Sequence, residues 1–172
     1  MTNVFFVAPI FSPAATQMVQ AAVAFPGARV SVIAQEPLSR LDPAVASKIA
    51  GHWQVDDVTD ATALKRGIRE LAARHGPPER CFGAYEQLQE PLARVREDLG
   101  IPGLSSAAAL NFRDKARMKD RLRDAGVSVA RHRLIASRDD AVAFVAEVGF
   151  PIVVKPPAGA GARNTHRISD AV

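Results

Sequence analysis

The sequence predicts an α/β protein: a small doubly wound domain built on a parallel sheet, followed by the truncated start of a second, mixed α+β lobe. Three observations carry that expectation. Short apolar runs alternate with stretches of helical period over residues 1 to about 100, the order of a parallel sheet covered by helices on both faces. Gly100-Ile101-Pro102-Gly103 then interrupts the pattern, and the composition beyond it turns helical and charged. Further on, an apolar strand leads through Lys155 into a loop of glycine and alanine.

The elements follow in order. Val4–Ala8, Arg29–Ala34, His52–Val55 and Cys81–Tyr85 are short apolar runs and predict four strands. Ser12 followed by Pro13 predicts a capped helix start. Leu64, Ile68 and Leu71 mark the inner face of a helix that Asp60 can cap, and Leu88, Leu92, Val95 and Leu99 mark another that Gly100 ends. After the seam, Ser106–Asn111 predicts a short helix and Asp114–Ala125 a second, with Met118 and Leu122 inward and Gly126 closing it. Arg131–Ile135 reads as a strand. Ser137 and Asp140 have the spacing of a reciprocal cap, opening a helix whose core face is Ala141, Phe144, Val145 and Val148, with Gly149 at its end. Phe150–Lys155 reads as a buried strand closed by Pro156-Pro157, and Thr165–Ile168 as a polar one. Asp170-Ala171-Val172 looks like the opening of a further helix.

Composition narrows the function. Hydrophobic residues make up 48% and charged residues 23% of the 172 positions, the balance of a globular chain. The net charge of +4 is spread along the chain, apart from basic residues between Arg113 and Arg123 that aspartates interrupt. One Trp and one Tyr leave little to stack on bases. An anionic small molecule suits this balance, and neither nucleic acid nor a membrane is expected as partner. A single cysteine, Cys81, excludes an internal disulfide and fits a reducing, cytoplasmic setting. It sits in an apolar strand, as a core residue would. The four histidines have no metal spacing with one another or with Cys81.

The chemistry concentrates in residues 152–164. Gly159, Ala160 and Gly161 have no bulk, so backbone N–H groups there can approach an anion. Lys155 adds a point charge at a strand end, and Arg163 adds a fork that matches phosphate oxygens. No Gly-Lys-Ser/Thr follows the glycines, which excludes a P-loop, and Asn164 stands where a dinucleotide fingerprint needs glycine. A dinucleotide-dependent oxidoreductase would instead need glycines after the first strand, where Pro9-Ile10-Phe11-Ser12-Pro13 stands. Lys115 and Lys119 are four apart and share a helix face, a spacing that more often marks a solvated face than a ligand site. Glu86, just past the fourth strand run, is placed either to touch a ligand at the sheet's carboxyl edge or to answer a helix macrodipole.

Taken in order, Asp114-Lys115, Ala125-Gly126-Val127 and Gly149-Phe150-Pro151-Ile152-Val153-Val154-Lys155-Pro156 with its glycine loop resemble the N-terminal portion of the ATP-grasp superfamily. The nearest branch is that of biotin carboxylases, carbamoyl phosphate synthetases and carboxylate–amine ligases. The resemblance implies a pre-ATP-grasp domain over residues 1–103 and a partial ATP-grasp N-terminal lobe over 104–172. It implies that Lys115 and Lys155 reach ATP, and that Gly159, Ala160, Gly161 and Arg163 belong to the lid over its phosphates. It also implies magnesium, whose ligands in that family lie downstream of the loop and outside this chain. A fragment of a ligase that activates a carboxylate as an acyl phosphate for attack by an amine is therefore expected, completed by a second lobe or chain. Alone it would bind ATP weakly without turnover. A non-catalytic nucleotide-binding or scaffold module is the alternative.

Overall fold

Five consecutive residues, Val4 to Ala8, are buried in the first strand, β1 (Thr2–Ala8). Burial on both faces means the sheet is covered on both sides. In the computed structural model, which describes residues 1–170, the chain divides into two compact units, Met1–Ala109 and Leu110–Val172. Each is described by itself.

The first unit is a four-stranded parallel sheet in the order β3-β2-β1-β4, with β2 at Ala28–Ala34, β3 at Gly51–Gln54 and β4 at Arg80–Gly83. Alternation along the strands sorts two cores. Val4, Phe6, Ala8, Val30, Val32 and Ala34 pack with Ala15 and Val19 of α1 (Pro13–Ala24) and Val45 of α2 (Pro43–Ala46). Phe5, Val7, Ile33 and Cys81 pack with Leu64, Ile68 and Leu71 of α3 (Ala61–His75) and Leu92 and Val95 of α4 (Gln89–Leu99). The unit is doubly wound, with its topological switch between β1 and β4. Sequence reasoning passed over α2, a single turn between Asp42 and Ser47.

The helix starts follow their local chemistry. Ser12 accepts from Ala15 N, and Asp60 from Thr62 N. Gly100 ends α4 in the left-handed region at φ 65°. The Gly100–Ser105 seam belongs to this unit and is tied down by Arg96, only 7% exposed. Its guanidinium donates to the carbonyls of Cys81 at 3.1 Å and Leu104 at 3.2 Å. A Cβ at Gly103 would stand 2.6 Å from Arg96 Nε, so the glycine is there for space. Glu97 then accepts from Ser106 N and Oγ, fixing the start of α5 (Ser106–Arg113).

The second unit holds α6 (Lys115–Asp124), α7 (Arg138–Val148) and an antiparallel pair of strands, β5 (Ile152–Val154) and β6 (His166–Ile168). The reciprocal cap of α7 is present, with Ser137 and Asp140 each bonded to the other's backbone N–H.

Several expectations are corrected here. Arg131–Ile135 forms no strand: among the described residues no neighbour pairs with it, and its side chains pair sideways, His132 with Asp120 and Arg133 with Glu147. The β5 strand is not buried, with Val153 58% and Val154 48% exposed, because β6 is its one described neighbour and no described layer covers its face. Leu122 is exposed rather than inward, and Met118 only half-buried. Ala141, Phe144, Val145 and Val148 do form the inner face of α7, but only half-buried. The further helix read from Asp170-Ala171-Val172 falls mostly outside the described residues. Among the described residues no helix is long and apolar enough to cross a membrane.

Candidate phosphate-binding site

The Asp114-Lys115 pair gains a physical reason once the orphan N–H groups of α6 are followed. Asp114 is the N-cap, and its Oδ1 accepts from Ala116 N at 2.9 Å and Arg117 N at 3.1 Å. Met118 N reaches Asp114 O in the ordinary helical way, at 2.8 Å. That leaves Lys115 N, which donates to Pro157 O at 3.0 Å. The first turn of α6 is thereby bonded directly to the segment that follows β5.

Side chains extend this junction. Lys115 Nζ donates to Gly159 O at 2.8 Å, and Arg113 Nη2 donates to Ala158 O at 2.5 Å. Three consecutive carbonyls, those of Pro157, Ala158 and Gly159, therefore turn toward residues 113–115. Of the three, Gly159 O is the one that meets the Lys115 ammonium. The rest of the loop is two tight turns, with Arg163 N bonded to Ala160 O and Thr165 N to Ala162 O, each at 3.3 Å. Gly161, Ala162 and Asn164 all have positive φ, 60°, 56° and 55°. For Ala162 that conformation costs about 1 kcal/mol.

Lys115, Lys155, Gly159 and Arg163 line one cleft, together with Pro156, Ala162 and Thr165. Ala160 and Gly161 belong to the same loop but do not line it. The cleft measures about 30 Å³, room for about two waters and too little for a triphosphate. A larger cleft of about 500 Å³ lies in the first unit, between Trp53, Asp56, Asp57, Asp60 and Arg66. Its carboxylates make it a poor place for phosphate, and Asp57 and Asp60 are already taken up by Thr59 and by the cap of α3.

Lys119, one turn after Lys115, is half-buried, and its Nζ reaches Ala130 O at 3.4 Å. Burial lowers its pKa, and the charges of Lys155 and Arg123 lower it further. Lys115 and Lys119 share a helix face, but of the two only Lys115 lines the cleft. Arg113 was missed as a loop contact, its one signal being its place next to Asp114-Lys115.

Outside this site, burial pushes the Cys81 thiol up to about 12, which makes it an inert core residue. His52 is lowered by burial and lies against Phe11. Glu86 opens a short 3-10 turn after β4. At the sheet's carboxyl edge, Ser12 Oγ and Tyr85 Oη are 2.7 Å apart across the switch point, and Phe11 N donates to Glu36. The charge around the cleft fits phosphate oxygens: lysine and arginine line it, and no carboxylate does. It does not fit a metal, because among the described residues no three His, Cys, Asp or Glu side chains are grouped to hold one.

Comparison with known proteins locates the same segment. Residues 114–171 match the family described as carbamoyl-phosphate synthase L chain, ATP binding domain. An L-arginine-specific L-amino acid ligase of Bacillus subtilis is 34% identical over 119 residues, 66% of this chain and 29% of the relative. Among solved structures, the biotin carboxylase domain of Hydrogenobacter thermophilus 2-oxoglutarate carboxylase superposes with a TM-score of 0.76 at 22% identity, covering 98% of this chain and 38% of that one. An L-amino acid ligase from Bacillus licheniformis gives 0.73 at 17% identity, covering 99% and 39%. The chain thus spans less than a third of the length of this curated relative. With an ATP-binding family matched over residues 114–171 and the fold matched over nearly every residue, the chain has the fold of the N-terminal portion of ATP-grasp enzymes, and its residues 114–171 are similar in sequence to an ATP-binding domain of that kind.

Proposed function

We propose that this chain supplies the phosphate-binding side of an ATP site in a ligase that activates a carboxylate for attack by an amine. The observation that carries the reading is the convergence of Lys115, Lys155 and Arg163 beneath a glycine loop, at the capped start of α6. Residues 1–103 serve as the pre-ATP-grasp domain and residues 104–172 as the beginning of the ATP-binding lobe. The likeness to an L-amino acid ligase supports a carboxylate and an amine as the joined groups.

ATP, when bound, supplies the phosphoryl group that turns the carboxylate into an acyl phosphate. What this chain's residues contribute is position and charge, the larger part of catalysis in phosphoryl transfer. Lys115 and Lys155 hold phosphate oxygens, and Arg163 places a planar fork beside them. The loop from Gly159 to Arg163 keeps water from the phosphates. Magnesium ligands come from a second lobe or chain.

The test is equilibrium dialysis of labelled ATP against the chain, together with an assay for ADP release. Weak binding that Lys115→Gln and Lys155→Gln each abolish, without turnover, is the expected result. Unchanged binding in both variants would remove these lysines from the site. Rapid magnesium-dependent ADP release by this chain would contradict its role as one side of a site.

A further inference from the structure

The two helical layers of the sheet domain present different exteriors. On one face, α3 and α4 turn Arg66, Arg69, Arg74, Arg94, Glu97 and Asp98 to solvent, as surface helices ordinarily do. On the other, α1 has no charged residue in its 12 positions. Ala15 and Val19 are its buried side. Ala14, Met18 and Ala21 form a separate, exposed stripe at spacings of four and three, and Phe25 extends it at the C-cap. Met18 is 43% and Phe25 70% exposed. The same sheet face is open again at its β4 edge. There Phe82, in register with Phe6 and edge-on to it at 5.3 Å, is 43% exposed, while α3 and α4 pack on the opposite face.

We propose that the α1 stripe is the contact face of a symmetric dimer of this chain, α1 of one copy lying against α1 of the other. Charge selects the occupant. A two-fold interface sets one patch against itself, so any net charge on it would meet its own sign. The chain carries a net charge of +4, and α1 is a face on which two copies meet with no charge opposed. An acidic or basic partner finds nothing on α1 to pair with. An anionic membrane needs Lys or Arg beside the apolar stripe, and α1 has neither. The alternation of small and large side chains also suits the contact, because Met18 or Phe25 of one copy fits the space above Ala14 or Ala21 of the other. At about 18 Å in length, the helix offers on the order of 500 Å² per copy, below the usual value of about 800 Å², so the dimer is weak and concentration-dependent.

The test is sedimentation equilibrium of the full chain over a range of concentrations. It compares the unaltered protein with Met18→Lys, Met18→Glu and, off the stripe, Gln20→Lys, with thermal unfolding of each as a control for the fold. The unaltered chain is expected to pass from monomer to dimer as concentration rises. Each Met18 variant should weaken the dimer about a hundredfold, because like charges then meet across the axis. Gln20→Lys should leave it unchanged. An equimolar mixture of Met18→Lys and Met18→Glu should recover the dimer, since opposite charges then face each other; no recovery overturns the pairing of α1 with α1. A chain that stays monomeric at every concentration overturns the inference, and monomer that floats with phosphatidylserine vesicles makes the stripe a membrane face instead. A dimer that survives both Met18 variants, or that Gln20→Lys weakens equally, puts the contact elsewhere and overturns it as well.

Discussion

The helices α3 and α7 carry similar apolar spacing and end in opposite surroundings. In α3, Leu64, Ile68 and Leu71 are almost wholly buried. In α7, Ala141, Phe144, Val145 and Val148 point inward together yet remain half-exposed. The contrast extends to the units that contain them: every fully buried side chain among the described residues lies within 1–109. Periodicity tells which face of a helix is apolar, and the amount of matter packed against that face decides whether it becomes a core. The first unit has a sheet with two covered faces. The second has an antiparallel strand pair and two helices, and the proposed phosphate site lies in it.

Mutations can break that comparison. Leu92→Ala should cost about 3 kcal/mol in denaturant unfolding of the sheet domain, since a fully buried leucine leaves a cavity, whereas Val145→Ala should cost less than about 1 kcal/mol. Equal costs would mean that α7 sits in a core as complete as that of α3. Next in size is Arg96→Met. It leaves the carbonyls of Cys81 and Leu104 without their donor, a loss of about 2 kcal/mol, read from the same unfolding curve. If stability is unchanged, the seam is not fastened by that guanidinium.

How much of this was legible in the sequence follows the same division. Caps are local chemistry, and Ser12, Asp60, Gly100 and the Ser137–Asp140 pair all sit where their spacing predicts. The strands β1 and β2 were legible because burial on both faces makes continuous apolar runs, whereas β3 and β4, at the sheet's edges, are only partly buried. Arg131–Ile135 ends on two apolar residues, as a strand can, but a strand also needs a neighbour, and pairing is not written in five residues. In the candidate site, Lys115, Lys155, Gly159 and Arg163 could be named from spacing and from resemblance. That the loop turns its carbonyls toward residues 113–115 depends on how the strand end meets the helix start, a non-local fact.

Smaller effects sharpen the contrast. Ser137→Ala removes one side of the α7 cap and should cost about 1 kcal/mol. The loss should appear as faster amide exchange in residues 138–148 with β1 unaffected; equal acceleration in β1 would show that both units open as one block. Acid should act on the same cap more gently. Hydrogen bonding from the Ala136 backbone, and after it from the Ser137 side chain, holds the Asp140 carboxyl below the usual aspartate range. Its contribution is therefore complete above the unfolded aspartate pKa and is lost as pH falls through the lower folded value. Exchange followed against pH should show α7 loosening in acid while Val4 to Ala8 of β1, with no carboxylate among the buried residues described, keep their protection.

The most direct measurement is an amide-resolved NMR titration of the chain with ATP. Shifts should concentrate at residues 113–119 and 155–165, where the loop carbonyls give way to phosphate, while Phe11, Ser12 and Tyr85 at the sheet's carboxyl edge stay still. Shifts centred on that edge, or an absence of response around Lys115 and Lys155 at saturating ATP, would contradict the assignment of the phosphate site to the second unit.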